Sequence, residues 1–111
     1  MIVATYEGHP DPGQSRVSLD LATDQLINDL KQSNPQMQIV RSHDSIRVGG
    51  RKALLNQLSN QSPSGGNETD LIVTVASTDG TIYYFVGVAP QPEFDSYETV
   101  FRDILESVRF Q

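Results

Sequence analysis

The stretch that decides the fold is "DLIVTVASTDGTIYYFVGVA", residues 70–89. Two runs rich in β-branched and aromatic residues flank Asp79-Gly80. Such runs read as strands. Asp-Gly between them predicts a tight hairpin with a type I′ turn, whose two central residues both need positive φ. Leu71, Val73 and Val75 fall on one side of the first strand, and Ile72 and Ala76 on the other. In the second strand Ile82, Tyr84, Val86 and Val88 alternate with Tyr83, Phe85 and Ala89. Both faces are apolar. A sheet with one wet face would alternate with polar residues, so this one is expected to be covered on both sides.

Two amphipathic helices are available as covers. In the first, Leu19, Ala22, Leu26 and Leu30 recur at helical spacing and Ile27 widens the stripe. Ser18 is the expected N-cap, and Asp20 suits the positive end of the helix dipole. Asp20, Asp24, Asn28 and Lys31 are expected to face water. Pro35 disfavours helical geometry at Asn34, which ends the helix near Ser33. In the second helix Phe94, Tyr97, Phe101, Ile104 and Val108 define a stripe that Leu105 joins. Pro90 and Pro92 end the preceding strand.

The remaining elements complete a sheet. Residues 2–6 (Ile-Val-Ala-Thr-Tyr) read as a short strand and "GHPDPG" at 8–13 as a loop. Residues 37–40 form one strand-like run. Ile46 and Val48 lead into a long strand from about Arg51 to Gln61. "SPSGGNE" at 62–68 is a loop, and "SVRF" at the end reads as a short closing strand. The fold class expected is α+β: a mostly antiparallel sheet with helices on its faces, in an α/β/α sandwich.

Composition narrows the function classes. The chain has 111 residues, one domain's worth, with 37% hydrophobic and 20% charged residues. It contains no cysteine, which excludes disulfides and thiolate metal sites. A formal charge of −6 disfavours non-specific nucleic-acid binding and docking on anionic lipid. The apolar runs near 71–76 and 82–89 are far shorter than the ~20 residues a spanning helix needs. Met1 leads straight into a strand, so residues 1–111 are expected to be one domain excised from a longer chain.

Few residues suggest chemistry. His43-Asp44 sits in "RSHDSIR" with serines nearby, but no G-x-S-x-G elbow accompanies it, and a polar turn is the expectation. His9 in "GHPDPG" has Asp11 nearby but no H-E-x-x-H spacing, so no metal ligand set is assigned. Arg47, Arg51 and Lys52, with Arg41, are half of the eight basic residues. They could form a local anion patch. A solvated strand edge is the simpler reading, because charge protects edges from pairing. "VGGRK" at 48–52 lacks the P-loop spacing. Glu93, Asp95 and Glu98 belong in or near the first turn of the second helix, where the dipole favours anions. Glu98 precedes Arg102 by four, the better orientation for an ion pair. No catalytic, metal or cofactor-binding residue is assigned, and no cofactor is expected.

The segment "GRKALLNQLSNQSPSGGNETDLIVTVASTDGTIYYFVGVAPQPEFDSYETVFRDILESVRF" at 50–110 resembles the C-terminal accessory segment of bacterial HtpX-like, CAAX-prenyl-protease-like zinc metallopeptidases. The features that carry it are Gly50-Arg51, "NQSPSGG", "DGTIYYFVGVAP" and the ending "F..ILESVRF". "ATDQLINDLKQSNP" at 22–35 extends the likeness to about four-fifths of the chain. The order of elements also resembles the PsbP-like fold. The resemblance implies a non-catalytic binding or regulatory role, since the peptidase H-E-x-x-H has no match here. It implies a catalytic peptidase domain in the same chain, or an envelope protein, as partner, and a place at the bacterial cell envelope. A different expectation rests on Tyr83, Tyr84 and Phe85, which could wall a small-ligand pocket between sheet and helix. An enzyme using His43 or His9 is the weakest reading.

Overall fold

The two apolar runs pair as the alternation requires. In the computed structural model, which describes residues 1–62 and 65–109, β4 (Asn67–Ala76) and β5 (Ile82–Pro90) are antiparallel, with Val73 opposite Phe85. The strands around them are β1 (Ile2–Tyr6), β2 (Gln38–Val48) and β3 (Arg51–Gln61). Together they form one five-stranded antiparallel sheet in the order β1-β5-β4-β3-β2. Strands β2 to β5 form a meander, and β1 adds beside β5. Helix α1 (Leu19–Ser33) lies between β1 and β2 in sequence. A 3-10 turn (Gln91–Glu93) leads into α2 (Phe94–Glu106). The chain is therefore of the α+β class.

The period of two sorts the interior. Leu71, Val73 and Val75 pack with Val48, Ala53, Leu55 and Phe85, and with Phe101 and Leu105 of α2. Their neighbours turn the other way. Ile72 packs with Leu58, Met37 and Leu26 of α1, and Tyr6, Leu30, Tyr84 and Val86 border that cluster. Adjacent residues Ile72 and Val73 are thus buried against different helices. Each fully buried side chain of this size stabilises the fold by about 1.5–3 kcal/mol relative to exposure.

Local signals account for most boundaries. Ser18 caps α1, its hydroxyl accepting from the Leu21 N–H at 3.1 Å. The helix ends at Ser33, before Pro35. Its buried residues are Ala22, Thr23, Leu26 and Ile27.

Three expectations need correction. The Asp79-Gly80 hairpin forms, but Asp79 does not adopt positive φ; among the described non-glycine residues only His43 does. The N–H of Gly80 donates to the Ser77 carbonyl at 3.0 Å and that of Ser77 to the Thr81 carbonyl at 2.9 Å. The loop is therefore three residues long, a type I turn followed by Gly80 at φ 87°, the alternative suited to this length. Asp79 stays in the ordinary region because its carboxylate accepts from the Thr81 N–H at 2.9 Å and from the Ser77 hydroxyl. The two-residue turn with positive φ at both centres lies at Gly49-Gly50, between the paired Val48 and Arg51.

The second correction concerns "RSHDSIR". It is not a turn but the middle of β2, which runs unbroken from Gln38 to Val48 with two register shifts. Between Arg41 and Asp44 the strand carries two residues against one, Asn56, on β3. The extra residues are β-bulges, and they break the period-two pattern from which a strand is read. The third concerns the ending: residues 107–109 are not a strand, and Phe110 lies outside the described residues.

Candidate functional site

His43 occupies the second bulge at φ 59°, a left-handed conformation costly for most side chains. The fully buried Asn56 holds it there. Asn56 Oδ1 accepts from the His43 N–H at 3.0 Å, and its Nδ2 donates to the carbonyls of Ile72 at 3.0 Å and Leu54 at 3.3 Å. The bulge turns the imidazole onto the first turns of α1. Nδ1 lies 3.1 Å from Asp20 Oδ1, and Nε2 lies 2.8 Å from Asp24 Oδ1. Carboxylates only accept, so both contacts are hydrogen bonds together only when both ring nitrogens carry protons.

The adjacent Asp44 takes no part in this. It pairs with Arg41 at 3.6 Å. Arg41 also reaches Glu98 at 3.5 Å, and Glu98 accepts from Arg102 at 3.1 and 3.2 Å. The Glu98–Arg102 pair read from the spacing is present, and Arg41 extends it into a tie between α2 and β2. Asp95 sits in the first turn of α2, and Glu93 flanks it without capping a backbone N–H.

The basic residues do not gather into one patch. Arg51 is not part of a solvated edge: it lies on interior strand β3, and its guanidinium donates to the carbonyls of Ala76 and Ser77. Arg47 donates to the Gly50 carbonyl at 3.1 Å. Lys52 stands exposed opposite Arg47. His9 is anchored through its backbone, its N–H and carbonyl each bonded to the Gln25 side chain at 2.8 Å. Among the described residues no three His, Asp or Glu side chains converge as a metal site.

The larger departure from the sequence reading is on α2. Only Phe101 and Leu105 of its apolar stripe are buried; Phe94 and Val108 are half-buried. Tyr97, Val100 and Ile104 remain 52%, 57% and 42% exposed. At 3.6 residues per turn, the arc from Leu105 through Phe101 to Val100 spans roughly 140°, more than one helix can lay on a flat sheet. Glu98, paired with Arg41 of β2, holds the opposite flank against β2. The three exposed residues consequently lie on the flank away from β2.

The three consecutive aromatic residues are divided between the faces. Phe85 is buried with Phe101, Tyr83 borders the same cluster, and Tyr84 borders the α1 cluster. The cavity beneath α2, lined by residues including Gly87, Tyr97 and Phe101, measures about 30 Å³. That is the volume of about one water molecule. An open recess of about 440 Å³ lies elsewhere, between the end of β1, the following loop and the β4–β5 hairpin. Glu7, Arg16 and Asp79 line it. Arg16 pairs with no carboxylate among the described residues.

Two carboxyls depart from their ordinary range. Burial, then the charge of Glu68 and a hydrogen bond with it, push Asp70 up to about 6. Its Oδ1 is buried without a partner among the described residues. Hydrogen bonds from Ser77 and Thr81 hold the exposed Asp79 down at about 2. Tyr6 is pushed up to about 12, first by burial and then by Asp29, to which its hydroxyl donates at 2.7 Å.

No protein-family model matches the chain, and no curated protein matches it. The five-stranded α+β fold does have a counterpart among solved structures. It is similar to PA94 of Pseudomonas aeruginosa, a protein of unknown function described as a proposed regulator. The TM-score is 0.72 at 10% sequence identity, over 99% of this chain and 82% of that one. At that identity the likeness concerns the fold. No described helix is long and apolar enough to cross a membrane.

Proposed function

We propose that the chain is a non-catalytic protein-binding or regulatory module, built as an α/β/α sandwich of PsbP-like kind and accessory to a larger bacterial protein. The reading of the two helix layers as a sandwich is supported by the separate packing of α1 and α2 residues with alternate side chains of β4. The observation that carries the functional reading is the exposed strip Tyr97–Val100–Ile104 on a helix whose other flank is tied down. Apolar strips on otherwise charged surfaces mark protein contacts. The resemblance to metallopeptidase accessory segments makes a peptidase domain in the same chain, or an envelope protein, the proposed partner.

A photo-crosslinking amino acid at Val100, compared with one at Asp103 on the exposed far side of α2, tests this in cells producing the protein. The expected result is a crosslink at Val100 to a defined peptide of one protein, with none from Asp103. Equal labelling at both positions would overturn the reading. So would zinc-dependent peptide hydrolysis by the purified chain.

A second reading is an independent binder of a small anion. It is favoured by Arg16 lining the 440 Å³ recess with no carboxylate paired to it. Saturable binding of small carboxylates or phosphates, abolished by Arg16→Ala, is the expected signature; unchanged binding in that variant would end it.

A further inference from the structure

The open recess of about 440 Å³ is bounded by segments that other contacts already hold. The Gln25 side chain clasps the His9 backbone through two hydrogen bonds of 2.8 Å, which pins the loop after β1 to α1. Across from it, Asp79 is fixed in the β4–β5 hairpin by the Thr81 N–H at 2.9 Å and by the Ser77 hydroxyl. Tyr6 and the buried Ile82, paired across β1 and β5, line the recess between these walls. Its volume falls within the roughly 300–1,000 Å³ of small-molecule sites.

The recess carries charges of both signs. Arg16 lies against Gly80 of the hairpin, where its guanidinium would crowd a Cβ. Glu7 and Asp79 line the same recess. Neither the Arg16 nor the Glu7 side chain pairs with an opposite charge among the described residues. Asp79 stays ionised at ordinary pH, since hydrogen bonds from Ser77 and Thr81 hold it down at about 2. Opposite charges thus share one recess without closing on each other.

We propose that this recess binds a small zwitterion, its carboxylate on Arg16 and its ammonium toward Glu7 and Asp79. The inference deepens the second reading above, a small anion at Arg16, and rests on it. Charge selects the ligand. A simple anion reaches Arg16 only by approaching two carboxylates on a chain of net charge −6, and a simple cation meets the guanidinium. A molecule with one end of each sign satisfies all three groups. A carboxylate matches the planar guanidinium fork, and an ammonium donates to carboxylates, which only accept. Free amino acids and short peptides share this chemistry and differ in the spacing of their charges.

The amide chemical shifts of Gly8, Gly80 and Thr81 in the purified chain test this, titrated at constant ionic strength with glycine, diglycine and triglycine. At least one of the three is expected to give saturable shifts at these amides. Tightest binding by glycine assigns a free amino acid, and by either peptide a short chain. Acetate and ethylammonium should each bind roughly tenfold or more weakly than the best zwitterion. Arg16→Ala and Glu7→Gln should each weaken that zwitterion by roughly fivefold or more, with circular dichroism confirming that both variants fold. No saturable shift with any of the three, or acetate binding as tightly as the best of them, would overturn the inference. Acetate binding lost in Arg16→Ala but kept in Glu7→Gln, with no preference for a zwitterion, would sink the zwitterion and leave the small-anion reading standing. Absence of all binding would end both.

Discussion

Asn56 Oδ1 accepts the His43 N–H at 3.0 Å, so a fully buried residue of β3 fixes a left-handed backbone on the edge strand β2. The imidazole then reaches Asp20 and Asp24 only because the bulge turns it there. Asn56→Ala removes three hydrogen bonds and takes away the acceptor of the His43 N–H. It should cost about 2–4 kcal/mol in urea denaturation. His43→Gly keeps the backbone geometry without strain and loses only exposed contacts, so its effect should stay within about 1 kcal/mol.

Thr23 and Thr74 join α1 to β4 through buried hydroxyls 2.6 Å apart. Thr23 already donates its proton to the Leu19 carbonyl, so Thr74 is the donor between them. Thr23→Val leaves the Thr74 hydroxyl buried without an acceptor there and should cost about 1–3 kcal/mol. Thr74→Val should cost less, and the double variant should lie near the milder single one. A double-mutant cycle by denaturant unfolding measures the coupling.

Gly87 is set by contact rather than by backbone conformation. A Cβ there would collide with the Phe101 ring. Gly87→Ala should therefore lift α2 and lower stability by about 1–3 kcal/mol. Combining it with Phe101→Leu should recover part of the loss, read as the shift in melting temperature.

Asp70 predicts a pH dependence. Its folded value, about 6, lies above the ordinary 3.8. Its stabilisation is fully present below the ordinary value and is lost as pH rises through about 6. Asp70→Asn removes the buried charge and gives Glu68 a permanent donor. Melting curves across pH should show the variant more stable than wild type above this window, by roughly 1–2 kcal/mol after allowance for partial exposure. The advantage should vanish in acid.

The elements that follow one simple period were legible in the chain. The β4–β5 hairpin, the Ser18 cap, the Ser33 stop and the Glu98–Arg102 pair all depend on residues a few positions apart. β2 was not legible as one strand, because it carries two register shifts and the one at His43 depends on Asn56 of a different strand. The hydrogen bonds of Asp79, not the Asp-Gly dipeptide alone, set the turn type. Asp20 and Asp24 stand four apart on one helix face, and that spacing was the available signal for a shared partner. The α2 stripe was legible as an apolar arc, but periodicity does not report how much of that arc the sheet can cover.

The most direct test asks whether Tyr97, Val100 and Ile104 are surface or core. Urea unfolding should compare wild type with the triple variant Tyr97→Ser, Val100→Ser, Ile104→Ser and with Phe101→Ala. Serine has nearly the helix propensity of the residues replaced, so packing alone is probed. A contact strip predicts a triple-variant loss within about 1.5 kcal/mol, against about 3–5 kcal/mol for Phe101→Ala. A triple variant that loses as much as Phe101→Ala would show the strip to be core and contradict its role as a docking face.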